Sequence, residues 1–136
     1  EVCEVSMQFK YLSVIATIVI AISVPAAAHH SHNAYDQSAW TTYEGTVQEV
    51  HLINPHSWIY MEIRDADGET AVWALEAGAT GGILNGGVQR EDLQPGDAVR
   101  VRCHRLRDGS PGCLLGFVTP LHGDAARGHG VEMEWD

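Results

Sequence analysis

The chain holds 136 residues, with 18 acidic side chains against eight lysines and arginines and a formal net charge of −10 with histidine neutral. That length sustains one domain with one core and little more. The acidic balance argues against nucleic acid or anionic lipid as partner. A cation or a cationic partner suits the field, and so does the ordinary need of a secreted protein to stay soluble.

From Met7 the chain carries Lys10, an apolar run from Leu12 to Val24, then Pro25 and three alanines. The run is about 13 residues, short of the roughly 20 that span a bilayer as a helix, and small residues follow it. This is the pattern of a secretory signal peptide over residues 1–28, which predicts a periplasmic or secreted protein with no membrane span after cleavage. The true start is expected at Met7, so Cys3 has no part in the mature protein. Signal peptidase needs small residues at the first and third positions before the cut; Ala28 and Ala26 provide them, which releases His29 as the new N-terminus. The mature chain then divides into a His-rich arm (29–40), a β-rich body (41–120) and a polar acidic tail (121–136) that reads as loose.

Within the body, Thr41–Leu52 and His56–Arg64 read as strands joined by the Ile53-Asn54-Pro55 turn, and Asp65-Ala66-Asp67-Gly68 leads into a third strand, Thr70–Glu76. Ala79–Val88 is Gly-rich but places Ile83 and Leu84 after a cap at Thr80, with Gly86-Gly87 as a stop, and predicts a short helix. Val99–Leu106 and Cys113–Thr119 form a hairpin about Arg107-Asp108-Gly109. The order β-β-β-α-β-β predicts an all-β, five-stranded, OB-like Greek-key barrel with one short helix between strands 3 and 4, a scaffold that by itself names no function. Inward positions are expected at Val47, Ile59, Met61, Ile63, Val72, Leu75, Val99, Val101, Leu115 and Phe117. The hairpin register sets Cys103 opposite Cys113, and in an oxidising compartment a structural disulfide follows. No Cys-x-x-Cys spacing suggests redox work.

His29-His30-Ser31, Gly45-Thr46-Val47, Asn54-Pro55-His56, Trp73-Ala74-Leu75-Glu76, Leu93-Gln94-Pro95-Gly96-Asp97 and Arg107-Asp108-Gly109, in that order, resemble a family of small exported bacterial proteins catalogued only as a domain of unknown function. The resemblance covers most of the mature chain. It implies a periplasmic location and no activity; the cysteine pair and the acidic tail depart from the pattern.

The residues themselves suggest metal chemistry. An N-terminal His29 offers its amine and its imidazole to one ion as a chelate, and a further nitrogen from His30, His32, His51 or His56 completes a set suited to copper(II). Cleavage one or two residues earlier makes His30 or His29 the third residue, and amine, two amides and imidazole again suit copper(II) or nickel(II). Glu76 or Asp36 is expected as an outer carboxylate fixing an imidazole tautomer. The plainer readings are a frayed His-rich start and, for His56, a turn histidine bonded to a loop carbonyl, with Asn54 capping the turn. His104, His122 and His129 are expected in solvent. Trp58, Tyr60 and Trp73 lie on neighbouring strands and offer either an aromatic face for a flat organic ligand or partner, or core closure. No Gly-x-Ser-x-Gly, His-Glu-x-x-His, Gly-x-Gly-x-x-Gly or Cys-x-x-Cys-His motif is present, and Gly78–Gly82 lacks the lysine of a phosphate loop. The sequence therefore points to binding of a metal ion or small molecule, copper at the His-rich terminus foremost, over catalysis.

Overall fold

In the computed structural model, residues 32–64 and 68–136 are described, and Ala34–Asp136 form one unit. Among them no helix is long and apolar enough to cross a membrane. The elements are β1 (Thr41–His51), β2 (Trp58–Arg64), β3 (Thr70–Glu76), α1 (Thr80–Asn85), β4 (Ala98–Arg105), β5 (Gly112–Pro120) and β6 (Met133–Glu134). Strands β3-β2-β1-β4-β5 pair in that order, and a parallel pairing of β3 with β5 closes them into the expected five-stranded barrel. β1 serves two partners, pairing β2 from Gly45 onward and β4 from Thr41 to Thr46. At the crossover a side chain does not fit: a Cβ on Gly45 would lie 2.2 Å from the Glu62 carbonyl oxygen.

Alternation carries Val47, Ile59, Met61, Ile63, Leu75, Val99, Val101 and Leu115 into the core as expected. Val72 does not follow. It opposes Glu62 on the outer face and is exposed, because Leu75, three residues on, fixes the opposite parity for β3. Phe117 also turns outward. Arg102 pairs with Phe117 but Cys103 with Leu115, so Gly116 is an extra residue in β5 and the strand changes face there, bringing Val118 inward instead.

The disulfide Cys103–Cys113 is present, with 5.8 Å between Cα atoms. The register around it differs from expectation: Cys113 opposes Arg105 and Cys103 opposes Leu115, so the cysteines are diagonal neighbours on the inward face. The cause is Pro111, which has no N–H to give to β4 and directs its carbonyl to the Ala74 amide of β3. β5 accordingly starts at Gly112, and the connection is longer than a three-residue loop.

The tail is not loose. A 3-10 turn at Ala125–Arg127, with the Asp124 side chain accepting from the Ala126 amide, leads to β6 on the edge of β5. There the Trp135 amide donates to the carbonyl of the extra residue, Gly116, and its side chain is buried in the core. An apolar residue at only one or two positions was enough to dock a segment of polar composition, since a buried tryptophan removes more apolar area from water than any other side chain.

Candidate functional site

The end of β3 gathers the residues of interest. Glu76 is the last residue of the strand, opposite Trp58, and only 6% exposed. Three segments converge on it. The β1–β2 turn brings His56, whose Nδ1 lies 2.9 Å from Glu76 Oε1. The segment before β1 brings Tyr35, whose hydroxyl donates to Glu76 Oε2 at 2.6 Å and is itself buried. The third contribution is structural. Ser57, buried beside His56, accepts from the Ala77 amide and donates to the Gly78 carbonyl, tying the turn to the strand end.

Local structure explains each placement. The Asn54–Pro55 peptide is cis, and Asn54 Oδ1 accepts from the Thr80 amide, so the turn caps α1 from outside the helix. Thr80 is thus the first helical residue and not the cap; the cap position is Ala79, which has no side-chain hydrogen bond to offer. Tyr35 is held by an isolated bridge to Leu106, with the Asp36 amide donating to Arg105 and the Arg107 amide to Ala34. Arg107 Nε also donates to the Tyr35 carbonyl. The hairpin that precedes β5 therefore anchors the segment that carries Tyr35.

A carboxylate only accepts hydrogen bonds, so the Nδ1 of His56 carries a proton, and Nε2 is the ring nitrogen that Glu76 does not engage. With its side chain 38% exposed, that imidazole is oriented by its partner and still partly open to solvent, as the imidazoles that bind metals are. His56 is not bonded to a loop carbonyl as the plainer reading had it. The Tyr35 hydroxyl is held well above its ordinary range, first by burial and then by the hydrogen bond to Glu76 and the charge beside it.

The other histidines go elsewhere. His51 ends β1 with Nε2 2.6 Å from Glu49 Oε2, exposed, and its ring sits edge-on to Tyr60. His104 is not simply solvated: its Nδ1 bonds the Ala39 carbonyl and its ring lies 3.9 Å from Trp40. His122 and His129 organise the C-terminal segment, accepting from the amides of Asp124 and Gly123, and His122 Nε2 donates to the Asp92 carbonyl. Asp36 accepts from the amide and hydroxyl of Ser38, which hold its carboxyl below the usual range; it is committed to that turn. His32 opens a 3-10 turn at His32–Ala34. His29, His30 and the signal peptide lie outside the described residues. Among the described residues no group of three or more His, Cys, Asp or Glu side chains is poised around one ion.

The three aromatics separate. Trp58 and Tyr60 stack on the outer face of β2 with ring centroids 6.5 Å apart. Trp73 opposes the core residue Met61 and packs instead on Tyr43 at 4.7 Å, on the other side of the strand. One face formed by all three does not exist.

A family model matches residues 16–115, most of the chain and nearly the whole barrel. The chain belongs to DUF6152, a family of unknown function. No curated protein and no solved structure matches it. The DUF6152 match takes in Tyr35, His56, Glu76 and both bridging cysteines, and ends before the extra residue of β5 and the segment that carries Trp135. Glu76 is the one carboxylate the sequence singled out at this end of the barrel. Tyr35 was missed, since a tyrosine 41 positions away in an arm gives no local sign of its partner.

Proposed function

We propose that this member of DUF6152 is an exported metal-binding protein that takes copper through its N-terminal histidines, with His56 as the ligand contributed by the barrel. The observation that carries this reading is the buried Glu76 carboxylate on His56 Nδ1, the outer-carboxylate arrangement that orients metal-binding imidazoles. Tyr35 supports it, because its hydrogen bond to the same carboxylate brings the arm to the same strand end. His29 precedes Tyr35 by six residues in the sequence, a length of chain that extends to about 20 Å at most. The net charge of −10 favours a cation.

The test is a copper(II) titration followed by electron paramagnetic resonance, on protein secreted with its own signal and shown by intact mass to start at His29. One tight equivalent with nitrogen hyperfine structure is expected, lost in His29→Ala and weakened about 10- to 100-fold in His56→Ala or Glu76→Gln. Weak, non-stoichiometric uptake that ignores these substitutions refutes the reading. A second reading, an interaction module for a flat organic ligand or partner, is favoured by the stacked Trp58 and Tyr60 pair. In that case Trp58→Ala abolishes binding and His29→Ala leaves it intact.

A further inference from the structure

A groove of about 530 Å³ lies beside Tyr43 and Trp73 and is also lined by Arg105, Arg64, Glu69 and Pro111. We propose that it is a separate binding site for a small planar organic monoanion, an aromatic carboxylate. The volume is that of a small-ligand cleft, and the lining holds the two features such a ligand needs.

The first feature is a guanidinium held over aromatic rings. Arg100 pairs with Glu44, Arg102 with Glu132 and Arg127 with Asp97. Arg105, among the described residues, has no carboxylate within ion-pair distance; its guanidinium carbon stands 5.2 Å from the Trp73 ring centroid and 6.0 Å from that of Tyr43. In a chain this acidic, an exposed arginine left on aromatic rings presents its fork to solvent. A carboxylate takes that fork in bidentate fashion, which an ammonium does not permit. The second feature is the tilted pair of Tyr43 and Trp73, whose partly buried rings offer an aromatic wall next to the fork. Burial pushes the Tyr43 hydroxyl above the ordinary tyrosine value, opposed by the charge of Arg105, so the hydroxyl stays neutral and keeps its proton.

The arginines set the class: among the described lining residues Arg64 and Arg105 supply the cationic donors, and a carboxylate is their complement. Arg64 spends one nitrogen on the Gly68 carbonyl at 3.0 Å, which leaves Arg105 as the principal anchor.

The probe is sodium benzoate, read by the indole N–H resonance of Trp73 in two-dimensional ¹H–¹⁵N spectra of the protein, with benzamide and cyclohexanecarboxylate as comparators. Saturable shifts centred on Trp73 are expected with benzoate, at least tenfold weaker with either comparator. Arg105→Gln and Arg105→Lys, both at an exposed position, are expected to weaken benzoate tenfold or more with an otherwise unchanged spectrum; Arg100→Gln is expected to bind as well as the parent. Absence of saturable shifts, equal binding by Arg105→Lys and the parent, or equal binding of benzamide overturns the proposal. Equal binding of cyclohexanecarboxylate overturns the planar requirement.

Discussion

At the scale of single residues, Glu76 is the pivot, and its two hydrogen bonds make separable predictions. Removing the Tyr35 hydroxyl takes one donor from a buried carboxylate, so Tyr35→Phe is expected to cost about 1 to 3 kcal/mol of stability in urea unfolding. The same contact gives an alkaline signature. The folded chain binds the Tyr35 proton more tightly than the unfolded chain does, so this contribution is full below about pH 10 and falls as pH rises beyond it. In Tyr35→Phe the alkaline decline, followed by thermal melts between pH 8 and pH 11, is expected to flatten. Gly45→Ala is the most severe single-methyl change, because its Cβ meets backbone oxygen that cannot rotate away. By contrast, the Cβ of Gly116→Ala meets only the outer edge of the half-exposed Trp40 ring, which has solvent to move into. Some of this was readable beforehand. Glu76 stood out as a carboxylate closing an apolar strand and His56 as a histidine beside a turn, whereas Tyr35 comes from a segment whose place depends on its bridge to Leu106.

At the scale of elements, the strands of the meander were legible because period-two alternation is a local property, and β3 was located to the residue. The β4–β5 hairpin was placed correctly but out of register, since Pro111, whose carbonyl meets the Ala74 amide of β3, acts through a strand remote in sequence. The cysteines still meet because diagonal neighbours on one face are close enough to bridge. Cys103→Ser with Cys113→Ser is expected to lower stability by about 2 to 3 kcal/mol, a value typical for so short a loop, with no change of fold by circular dichroism. The connection from α1 to β4 and the C-terminal turn are joined by Arg127 and Asp97, which form a short, half-buried ion pair. Burial alone pushes the Asp97 carboxyl up, but the Arg127 hydrogen bond, the Gln94 amide and the arginine's charge together hold it below the usual value. Its contribution is therefore present above about pH 4 and is lost as pH falls through the depressed folded value. Arg127→Gln is expected to cost roughly 1 to 3 kcal/mol at pH 7 and to show a shallower acid-side loss in melts taken down to pH 3.

For the whole molecule, the barrel and its single helix followed from element order, while the role of the C-terminal segment did not. Trp135 sits between Glu134 and Asp136, and Val131 and Met133 give only a brief alternation before it, too short a pattern to announce a docked strand; the extra residue of β5 supplies the carbonyl that its amide meets. Trp135→Ala is expected to cost about 3 to 5 kcal/mol. Its indole N–H is buried with no partner among the described residues, so Trp135→Phe, which keeps a ring and deletes an unsatisfied donor, is expected to cost much less than the alanine change in the same unfolding experiment. Closure itself has a temporal consequence. Synthesis proceeds from the N-terminus, so β1, β2 and β3 can pair with each other as they emerge, but the outer edge of β3 waits for residues 112–114 and the second edge of β1 for residues 98–103. Until then the meander exposes two unprotected strand edges and one apolar face, the combination that recruits other chains. A nascent or truncated chain that stops after α1 is thus the aggregation-prone form of this protein, and the two strands that end that interval are the two that the disulfide joins.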